Sequence, residues 1–214
     1  MKYLYLFLFT FISLSAIGQT AAEPSGSGTA TDPYLISSLN ELYWVSTKQI
    51  ENQSFSDGKY FLQTKNIDAS DTANWSNGWI PIGGRSSITP NDSSDDESFE
   101  FGGTYNGSGF TINNLNYINN FSGNNLNGLF GSVIGTILNL SLANLSITTN
   151  SMKTGGLVGL LKRGGKIYNC STTGTITSTN NSAGGLVGQN QSTIFNSYST
   201  CSVTALSVAG GLLG

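Results

Sequence analysis

Short apolar runs separated by Gly, Ser, Asn and Thr fill the chain from residue 127 to its last residue. Within each run, apolar and polar residues alternate, which is the period-two pattern of a β-strand. None of these runs keeps the 3.6-residue period of a helix. The pattern therefore predicts a succession of short strands joined by tight bends.

One unit of this pattern recurs at nearly constant intervals. The glycines that precede a leucine are 28, 29 and 26 residues apart, at Gly128, Gly156, Gly185 and Gly211. A sustained period in this range indicates a repeat architecture in which successive units stack. We expect three short strands in each unit, each paired with its counterpart in the next unit at about 4.8 Å.

Stacking places equivalent apolar residues in columns. The three expected columns are Leu129, Leu157, Leu186 and Leu212; Ile137, Ile167 and Ile194; and Ile147, Ile176 and Val203. Burial stabilises by roughly 1.5–3 kcal/mol for each aliphatic side chain, so a stack of units gains what a single unit cannot. We predict an all-β fold, a right-handed parallel β-helix, whose hand follows from that of parallel crossovers.

A polar column accompanies the apolar ones. Asn139, Asn169 and Asn196 each come two residues after the Ile column, so their amides should form a hydrogen-bonded ladder. Glycines in the same units allow sharp bends in the backbone. We interpret these residues as structural, together with Gly128, Leu129, Gly131, Gly156, Leu157, Gly159, Gly185, Leu186 and Gly188.

The openings Gly155-Gly156-Leu157-Val158-Gly159 and Gly184-Gly185-Leu186-Val187-Gly188, each followed by an Ile-x-Asn strand, resemble the GLUG repeat of bacterial surface proteins. The resemblance covers residues 127–214. The stretch from Phe101 to Leu115 is similar to the usual lead-in, with Asn106 and Phe110 where Asp and His are often found. The resemblance implies an extracellular β-helix of adhesin-like proteins. The same repeat also occurs beside the protease domain of some immunoglobulin-cleaving metalloenzymes.

The N-terminus has the features of a secretory signal peptide. Lys2 is followed by an apolar run from Leu4 to Ile12 and by small residues at Ala16 and Gly18. The run is too short to cross a bilayer. We predict a signal peptide over residues 1–18, a secreted or cell-surface protein, and no membrane span in the mature chain.

Residues 19–100 are predicted to cap the first unit of the stack. Ser38 and Glu41 form a capping-box pattern that starts a helix over about Leu39 to Gln49. Such a helix would cover strand edges that otherwise recruit other chains. Lys59 to Asp68 and Trp79 to Gly83 should be short extended segments. The repeat β-helix then occupies residues 101–214, and because it stops inside a unit we expect it to be part of a longer array.

Two features of the cap have both a structural and a functional interpretation. The acidic stretch Asn91 to Glu97 lacks the spacing of an EF-hand loop, which favours a solvated loop over a calcium site. Trp44, Trp75 and Trp79 could form a platform for sugars, but packing inside the cap is the favoured interpretation.

The distribution of charge argues against catalysis. All 12 acidic residues precede Phe101, and the chain has no histidine. Hydrolases and lyases built on β-helices need a carboxylate pair or a carboxylate with a base, and triads and metalloprotease motifs need histidine. We therefore expect no enzymatic activity and no cofactor.

Three further features are weighed as binding or bonding sites. Lys162, Arg163 and Lys166 could meet anionic glycans or a membrane surface, although a soluble loop is favoured, and they are too few for nucleic acid. Cys170 and Cys201 are expected to be unpaired because repeat alignment sets them four positions apart on neighbouring turns. The last feature is a Thr face, where strand propensity explains the composition without a ligand. Its columns are Thr148, Thr177 and Thr204, and beside them Ser146, Thr175 and Ser202.

These observations favour an exported, non-enzymatic β-helix that serves adhesion or recognition, with extracellular glycans or surface proteins as partners. One alternative is ice binding through the Thr columns. Another is a non-catalytic β-helix region of a longer secreted enzyme such as a metalloprotease.

Overall fold

The computed structural model describes residues 19–84, 99–119 and 126–214. The predicted signal peptide (1–18) and the acidic stretch from Asn91 to Glu97 lie outside the described residues, so both stay predictions.

The described residues contain one α-helix, α1 (Leu39–Glu51), one 3₁₀ helix (Ser70–Asn74) and twenty short strands. The strands before the GLUG-like openings are β1 (Tyr34–Ile36), β2 (Tyr60–Gln63), β3 (Ile67–Asp68), β4 (Thr104–Asn106), β5 (Thr111–Asn113) and β6 (Asn116–Asn119). The next six strands are β7 (Leu126–Asn127), β8 (Phe130–Val133), β9 (Thr136–Leu138), β10 (Ser141–Thr149), β11 (Lys153–Gly155) and β12 (Val158–Leu161). The last eight strands are β13 (Lys166–Tyr168), β14 (Ser171–Ser178), β15 (Ser182–Gly184), β16 (Val187–Asn190), β17 (Thr193–Phe195), β18 (Tyr198–Ser199), β19 (Ser202–Ala205) and β20 (Val208–Gly210).

These strands form four sheets in which neighbouring strands run parallel. Sheet A has the order β1-β2-β4-β9-β13-β17, and sheet B has the order β18-β14-β10-β5-β3, with β6 beside β10 and β19 beside β14. Sheet C has the order β16-β12-β8, and sheet D has the order β20-β15-β11-β7. From β4 onward the chain passes through sheets A, B, D and C in turn and then returns to sheet A. The prediction of a mostly β protein with parallel pairing between units is confirmed.

The circuits β9 to β12 and β13 to β16 each contain four strands, one in each sheet, so the prediction of three per unit is wrong. The additional strand belongs to sheet D and lies just before the Gly-Leu opening, at Lys153–Gly155, Ser182–Gly184 and Val208–Gly210. These three-residue segments consist mostly of small residues. Apolar and polar residues do not alternate in them, so their sequence does not distinguish a strand from a loop. Pairing with the same triplet of the next unit makes them strands.

The apolar columns are in register. Ile167 pairs with Ile137 on one side and with Ile194 on the other. Ile147, Ile176 and Val203 pair in the same way in sheet B. In the Leu column, the N–H of Leu157 donates to the carbonyl of Leu186 at 3.0 Å. Leu129, Leu157 and Leu186 are fully buried, whereas Leu212, in the last circuit described, is 36% exposed.

Unit length varies at a turn and at a bulge in sheet B, where the pairing of β10 with β14 shifts register between Leu142 and Leu145. The segment from Gly156 to Ile167 is two residues longer than that from Gly128 to Ile137, 12 residues against 10. The turn Lys162–Gly165 lies within the longer segment and is closed by a hydrogen bond of 3.0 Å from the N–H of Gly165 to the carbonyl of Lys162. The register of sheets A and C is the same before and after it.

Helix α1 begins at Leu39, as predicted, and ends two residues later than predicted, at Glu51. The N–H of Glu41 donates to the Ser38 hydroxyl at 3.3 Å, which is one half of the capping box. The other half differs from the prediction, because the Glu41 carboxylate accepts from the N–H and hydroxyl of Ser37 instead of from the N–H of Ser38. The Glu41 carboxylate thus accepts two hydrogen bonds from Ser37, the residue before the N-cap, because the Ser37 hydroxyl is a second donor beside its N–H.

Aromatic packing joins α1 to the first strands. Tyr43 packs on Trp75 with ring centroids 5.0 Å apart, and Trp75 stacks on Trp79 at 6.0 Å. Trp44 packs edge-on against Tyr34 of β1 at 5.4 Å. All three tryptophans are buried, which confirms the packing interpretation and leaves no tryptophan platform for sugars.

Cys170 and Cys201 are both free, as predicted. The register places Ser197 beside Cys170, where its hydroxyl accepts from the N–H of Cys170 at 3.0 Å. Burial raises the pKa of the Cys170 thiol to about 11, partly offset by hydrogen bonds to backbone groups. Cys170 therefore stays a protonated thiol at neutral pH and acts as a small apolar residue of the core.

Ile167→Ala should lower the free energy of unfolding by about 2–5 kcal/mol, because it leaves a cavity in a fully buried column. The matched control is Lys166→Ala on the same strand, an exposed position at which we expect a change within about 0.5 kcal/mol. Urea unfolding followed by circular dichroism measures both. Equal losses for the two variants would contradict the assignment of inward and outward positions.

Candidate functional site

The outward face of sheet A displays two columns of side chains. Because side chains alternate along a strand, Lys166 and Tyr168 point away from the core where Ile167 points into it. The strand register extends both positions along the sheet. The first outward column contains Tyr60, Thr104, Thr136, Lys166 and Thr193, and the second contains Leu62, Asn106, Leu138, Tyr168 and Phe195.

Four members of the second column are large apolar residues, which we call the apolar stripe: Leu62, Leu138, Tyr168 and Phe195. Phe195 is 66% exposed, and its ring lies 6.5 Å from that of Tyr168 at an interplanar angle of 66°. With about 4.8 Å between layers, the stripe is about 19 Å long. Asn106 separates Leu62 from Leu138, so the contiguous part of the stripe is Leu138, Tyr168 and Phe195. Contiguous apolar residues on an outward face are typical of a binding surface.

A cavity of about 310 Å³ lies at the N-terminal end of this stripe. Its lining consists of apolar and neutral polar residues, with no charged side chain among them: Ala30, Pro33, Tyr60, Phe61, Leu62, Thr104, Asn106 and Leu138. The wall formed by Ala30 and Pro33 belongs to a turn in which the N–H groups of Ser27 and Thr29 both donate to the carbonyl of Asp32 at 3.1 Å. The turn is tied to sheet A by a 3.0 Å hydrogen bond from the N–H of Tyr60 to the carbonyl of Gly28.

The predicted Asn column forms a continuous ladder of hydrogen bonds beside the stripe. The Nδ2 of Asn196 donates to Asn169, that of Asn169 to Asn139, and that of Asn139 to Asn106, at 2.7, 3.0 and 3.1 Å. The Oδ1 of Asn106 also accepts the backbone N–H of Ser108 at 2.9 Å. A backbone N–H can only donate, so this contact sets the orientation of every amide in the ladder.

The ladder residues also form the corners between sheets A and B. Asn139, Asn169 and Asn196 have φ angles of 54°, 53° and 48°, the left-handed conformation that Asn tolerates better than other non-glycine residues. The sequence predicted the ladder but not this second role. The need for a positive φ at the corner explains why the column contains Asn and not Gln, which has a longer amide side chain.

A second ladder, which the sequence analysis missed, lies along sheet B. Asn144 donates to Asn114 at 3.3 Å, and Asn114 donates to the carboxylate of Asp68 at 3.0 Å. The hydrogen bonds from the Asn114 side chain and the Ser70 N–H hold the pKa of the Asp68 carboxyl below its usual value. Asn114 and Asn144 also have positive φ angles, of 60° and 56°. Asn114 ends an Ile-x-Asn triplet, but Asn144 follows Leu142 instead of Ile, so the sequence analysis did not align the two residues.

The predicted Thr columns lie on the outward face of sheet B. Ser146, Thr175 and Ser202 pair in one register, and Thr148, Thr177 and Thr204 pair in the other. Only the middle layer has Thr at both positions. The layer before the columns has Asn116 and Ile118 at these positions, and Ile118 is 63% exposed.

The three basic residues do not form one cluster. Lys162 pairs with the carboxylate of Glu100 at 2.5 Å, and less than a quarter of each side chain is exposed. This corrects the prediction of a solvent-facing loop of three charges. Arg163 is exposed in the turn, and Lys166 lies in the first outward column of sheet A, between Thr136 and Thr193. Glu100 lies 62 residues from Lys162, so no local pattern links the two.

The apolar stripe was not recognised from the sequence, although a signal was present. The middle residue of the recurring Ile-x-Asn triplet is Leu138, Tyr168 or Phe195, which are large apolar residues at a position that alternation directs outward. Within residues 19–84, 99–119 and 126–214, no group of three or more His, Cys, Asp or Glu could hold a metal ion. No helix in these ranges combines the length and apolar character that a membrane span needs.

Comparison with known families identifies the repeat. The model of the GLUG motif matches residues 150–177, which extend from the end of β10 into β14. The chain contains a GLUG motif. The matched residues include the opening Gly155 to Gly159 and the ladder residue Asn169, so the motif coincides with one circuit through the sheets.

Two individual proteins are similar to this GLUG-containing chain. Halomucin from Haloquadratum walsbyi is 38% identical over 184 residues, which are 84% of this chain and 2% of halomucin. The chain thus spans about 2% of the length of this relative. A Bacteroides ovatus chain, described as a candidate immunoglobulin A1 protease, has a crystal structure similar at 17% identity and a TM-score of 0.44, over 88% of this chain and 73% of that one. This second similarity is too distant to support an argument about function.

Asn169→Ala should destabilise the protein more than Asn169→Gly, by about 1 kcal/mol. Both variants lose two side-chain hydrogen bonds, but only alanine is strained at a φ of 53°. The neighbouring Tyr168, on an ordinary strand, is the control, and there glycine should be the more damaging substitution. Urea unfolding of the Ala and Gly variants at Asn169 and at Tyr168 gives the order of stability at each position. A lower stability for Asn169→Gly than for Asn169→Ala would contradict the corner role.

Proposed function

We propose that the chain is a right-handed parallel β-helix that serves adhesion or recognition at the cell exterior and catalyses no reaction. The circuit through four parallel sheets, repeated in register, supports the solenoid. The general hand of parallel crossovers supports the right-handed sense. The buried aromatic residues around α1 support its role as a cap over the first strands.

The observation that carries this proposal is the apolar stripe on the outward face of sheet A. Its aromatic rings lie beside Thr136, Lys166 and Thr193, so the face offers both stacking surfaces and hydrogen-bond donors. A long and shallow surface of this composition suits an extended partner laid across the strands. Extracellular glycans and surface proteins offer such extended segments. Aromatic residues supply much of the binding energy at interfaces of this kind.

An exterior location is supported by the GLUG motif and by the similarity to halomucin. The absence of catalysis is proposed from the sequence. The chain has no histidine, and none of its residues after Glu100 is acidic, so the repeat units offer no carboxylate pair for acid–base chemistry.

We expect Tyr168→Ser combined with Phe195→Ser to weaken binding to an extracellular partner about tenfold or more, because both aromatic anchors of the stripe are removed. Binding of the purified chain is measured first on arrays of glycans and of extracellular proteins, and then by titration calorimetry with each partner found.

The matched control is Tyr198→Ser, which removes an aromatic residue that is 60% exposed on sheet B. This variant should bind like the unmodified chain. The proposal fails if the double variant binds normally, if Tyr198→Ser is equally impaired, or if a bound glycan is cleaved during the measurement.

Ice binding is a second candidate, favoured by the register of the Thr columns on sheet B. If these columns bind ice, the chain produces thermal hysteresis, and Thr177→Lys abolishes it by placing a bulky charge in the middle layer. Thr193→Lys on sheet A is the control and should retain hysteresis. Absence of hysteresis in the unmodified chain rejects this candidate.

A non-catalytic β-helix region of a longer secreted enzyme, such as a metalloprotease, stays a prediction. It requires the same outward surfaces, since a β-helix of this kind would position substrates or partners for a separate catalytic domain.

A further inference from the structure

Three polar groups in the cavity at the end of sheet A have no hydrogen-bond partner among the described residues. They are the hydroxyl of Tyr60, the hydroxyl of Thr104 and the Nδ2 group of Asn106. Tyr60 pairs with Thr104 across adjacent strands, and Asn106 lies two residues further along the same strand. Two hydroxyls and one amide thus belong to side chains that line the same cavity.

The orientation of Asn106 makes its free group a donor. Its Oδ1 already accepts from the Ser108 N–H at 2.9 Å and from Asn139 at 3.1 Å, which leaves the NH₂ group for the cavity. All amides of the ladder donate in the same direction, toward Asn106. Hydrogen bonds in such a chain polarise one another, so the terminal NH₂ is a stronger donor than an isolated amide.

The wall of the cavity formed by Ala30 and Pro33 is preformed. Gly28 has a φ of 74°, and a Cβ at this position would lie 2.4 Å from the ring of Tyr34. The positive φ and the close approach of Tyr34 favour glycine at this position. The hydrogen bond from the N–H of Tyr60 to the carbonyl of Gly28 ties the turn that carries Ala30 and Pro33 to sheet A. A preformed site spares the ligand the cost of ordering it.

The character of the lining selects a class of ligand. A volume of about 310 Å³ suits a single ring, at the small end of the range for ligand sites. A charged ligand would meet no opposite charge among the lining residues, and a purely apolar ligand would leave the three polar groups desolvated and unpaired. A ring with apolar C–H faces and hydroxyls at its edge satisfies both the Leu62 and Leu138 side chains and the polar groups.

We propose that this cavity is a subsite for one neutral pyranose ring, the terminal residue of a glycan whose remainder lies along the apolar stripe. The inference rests on the proposed recognition function and specifies its ligand class. Thr104 and Asn106 bind the sugar hydroxyls, and Leu62 and Leu138 contact the C–H face.

The test uses the full chain and methyl glycosides of glucose, galactose, mannose and N-acetylglucosamine, with methyl glucuronide and cyclohexanol as charged and apolar comparators. Saturation-transfer NMR detects binding, and calorimetry gives the dissociation constant. At least one neutral glycoside should bind with a dissociation constant of order 1 mM. The two comparators should bind at least about tenfold more weakly. Methyl glucuronide carries a carboxylate that meets no opposite charge in the lining, and cyclohexanol has one hydroxyl for three polar groups.

Two variants locate the site. Asn106→Asp keeps both accepted hydrogen bonds and replaces the NH₂ donor with a negatively charged acceptor, and Thr104→Val removes one hydroxyl with little change in shape. Each should weaken binding about tenfold. Asn190→Asp is the matched control, because Asn190 accepts the N–H of Ser192 at 3.0 Å in the same local geometry on sheet C. Thr200→Val, at an exposed threonine outside sheet A, is the control for Thr104→Val. Both controls should bind within about twofold of the unmodified chain.

The inference is overturned if no neutral glycoside binds, if methyl glucuronide or cyclohexanol binds as well, or if Thr104→Val and Asn106→Asp leave binding unchanged. Thermal unfolding verifies that each variant is folded, and Thr104→Val decides alone if Asn106→Asp is not. Failure here is distinct from failure of the proposed function. A protein partner that depends on Tyr168 and Phe195 would leave the recognition proposal standing while removing the sugar subsite.

Discussion

In-register parallel pairing is the constraint on which the other features of the structure depend. Each strand of a repeat unit pairs with the strand at the same place in the next unit, so like residues meet along every column. A slip of one residue would expose Ile167 and bury Lys166 and Tyr168, because alternate side chains of a strand face opposite ways. The buried columns thus determine the register, and the register then determines which residues share the outward faces.

The asparagine ladders show how one residue type satisfies two demands of this register. At each corner between sheets A and B, the backbone takes a left-handed conformation and the side chain faces the same residue of the next unit. The amide both donates and accepts, so it bonds to neighbours on both sides and leaves one group unpaired at each end. In the first ladder the end with a defined donor is Asn106, and in the second the corresponding end is closed by the Asp68 carboxylate.

The sequence was sufficient for features set by local spacing and insufficient for those that depend on which segments of the chain pair or pack together. The period, the three apolar columns, the Asn ladder and the start of α1 were all predicted, because each depends on local spacing. The strand Lys153–Gly155 was missed because its pairing partners, and not its own composition, make it extended. The contact between Lys162 and Glu100 joins residues far apart in the chain, and the cavity combines an N-terminal turn with three strands of sheet A. A periodic pattern in the sequence gives no information about such contacts. The outward position of Tyr168 followed from alternation. Only the strand register shows that Leu138 and Phe195 lie beside it and that the three form one apolar surface.

The turn Lys162–Gly165 has a consequence for how proteins of this kind diversify. It lies in a segment two residues longer than its counterpart in the preceding unit, yet the strands on both sides keep their partners. Chain length can therefore change at this corner while the interior is conserved. A foreign peptide inserted there would be displayed between sheets C and A with the strand register unchanged, which makes the corner a natural place for new epitopes to arise and for a designed loop to be grafted.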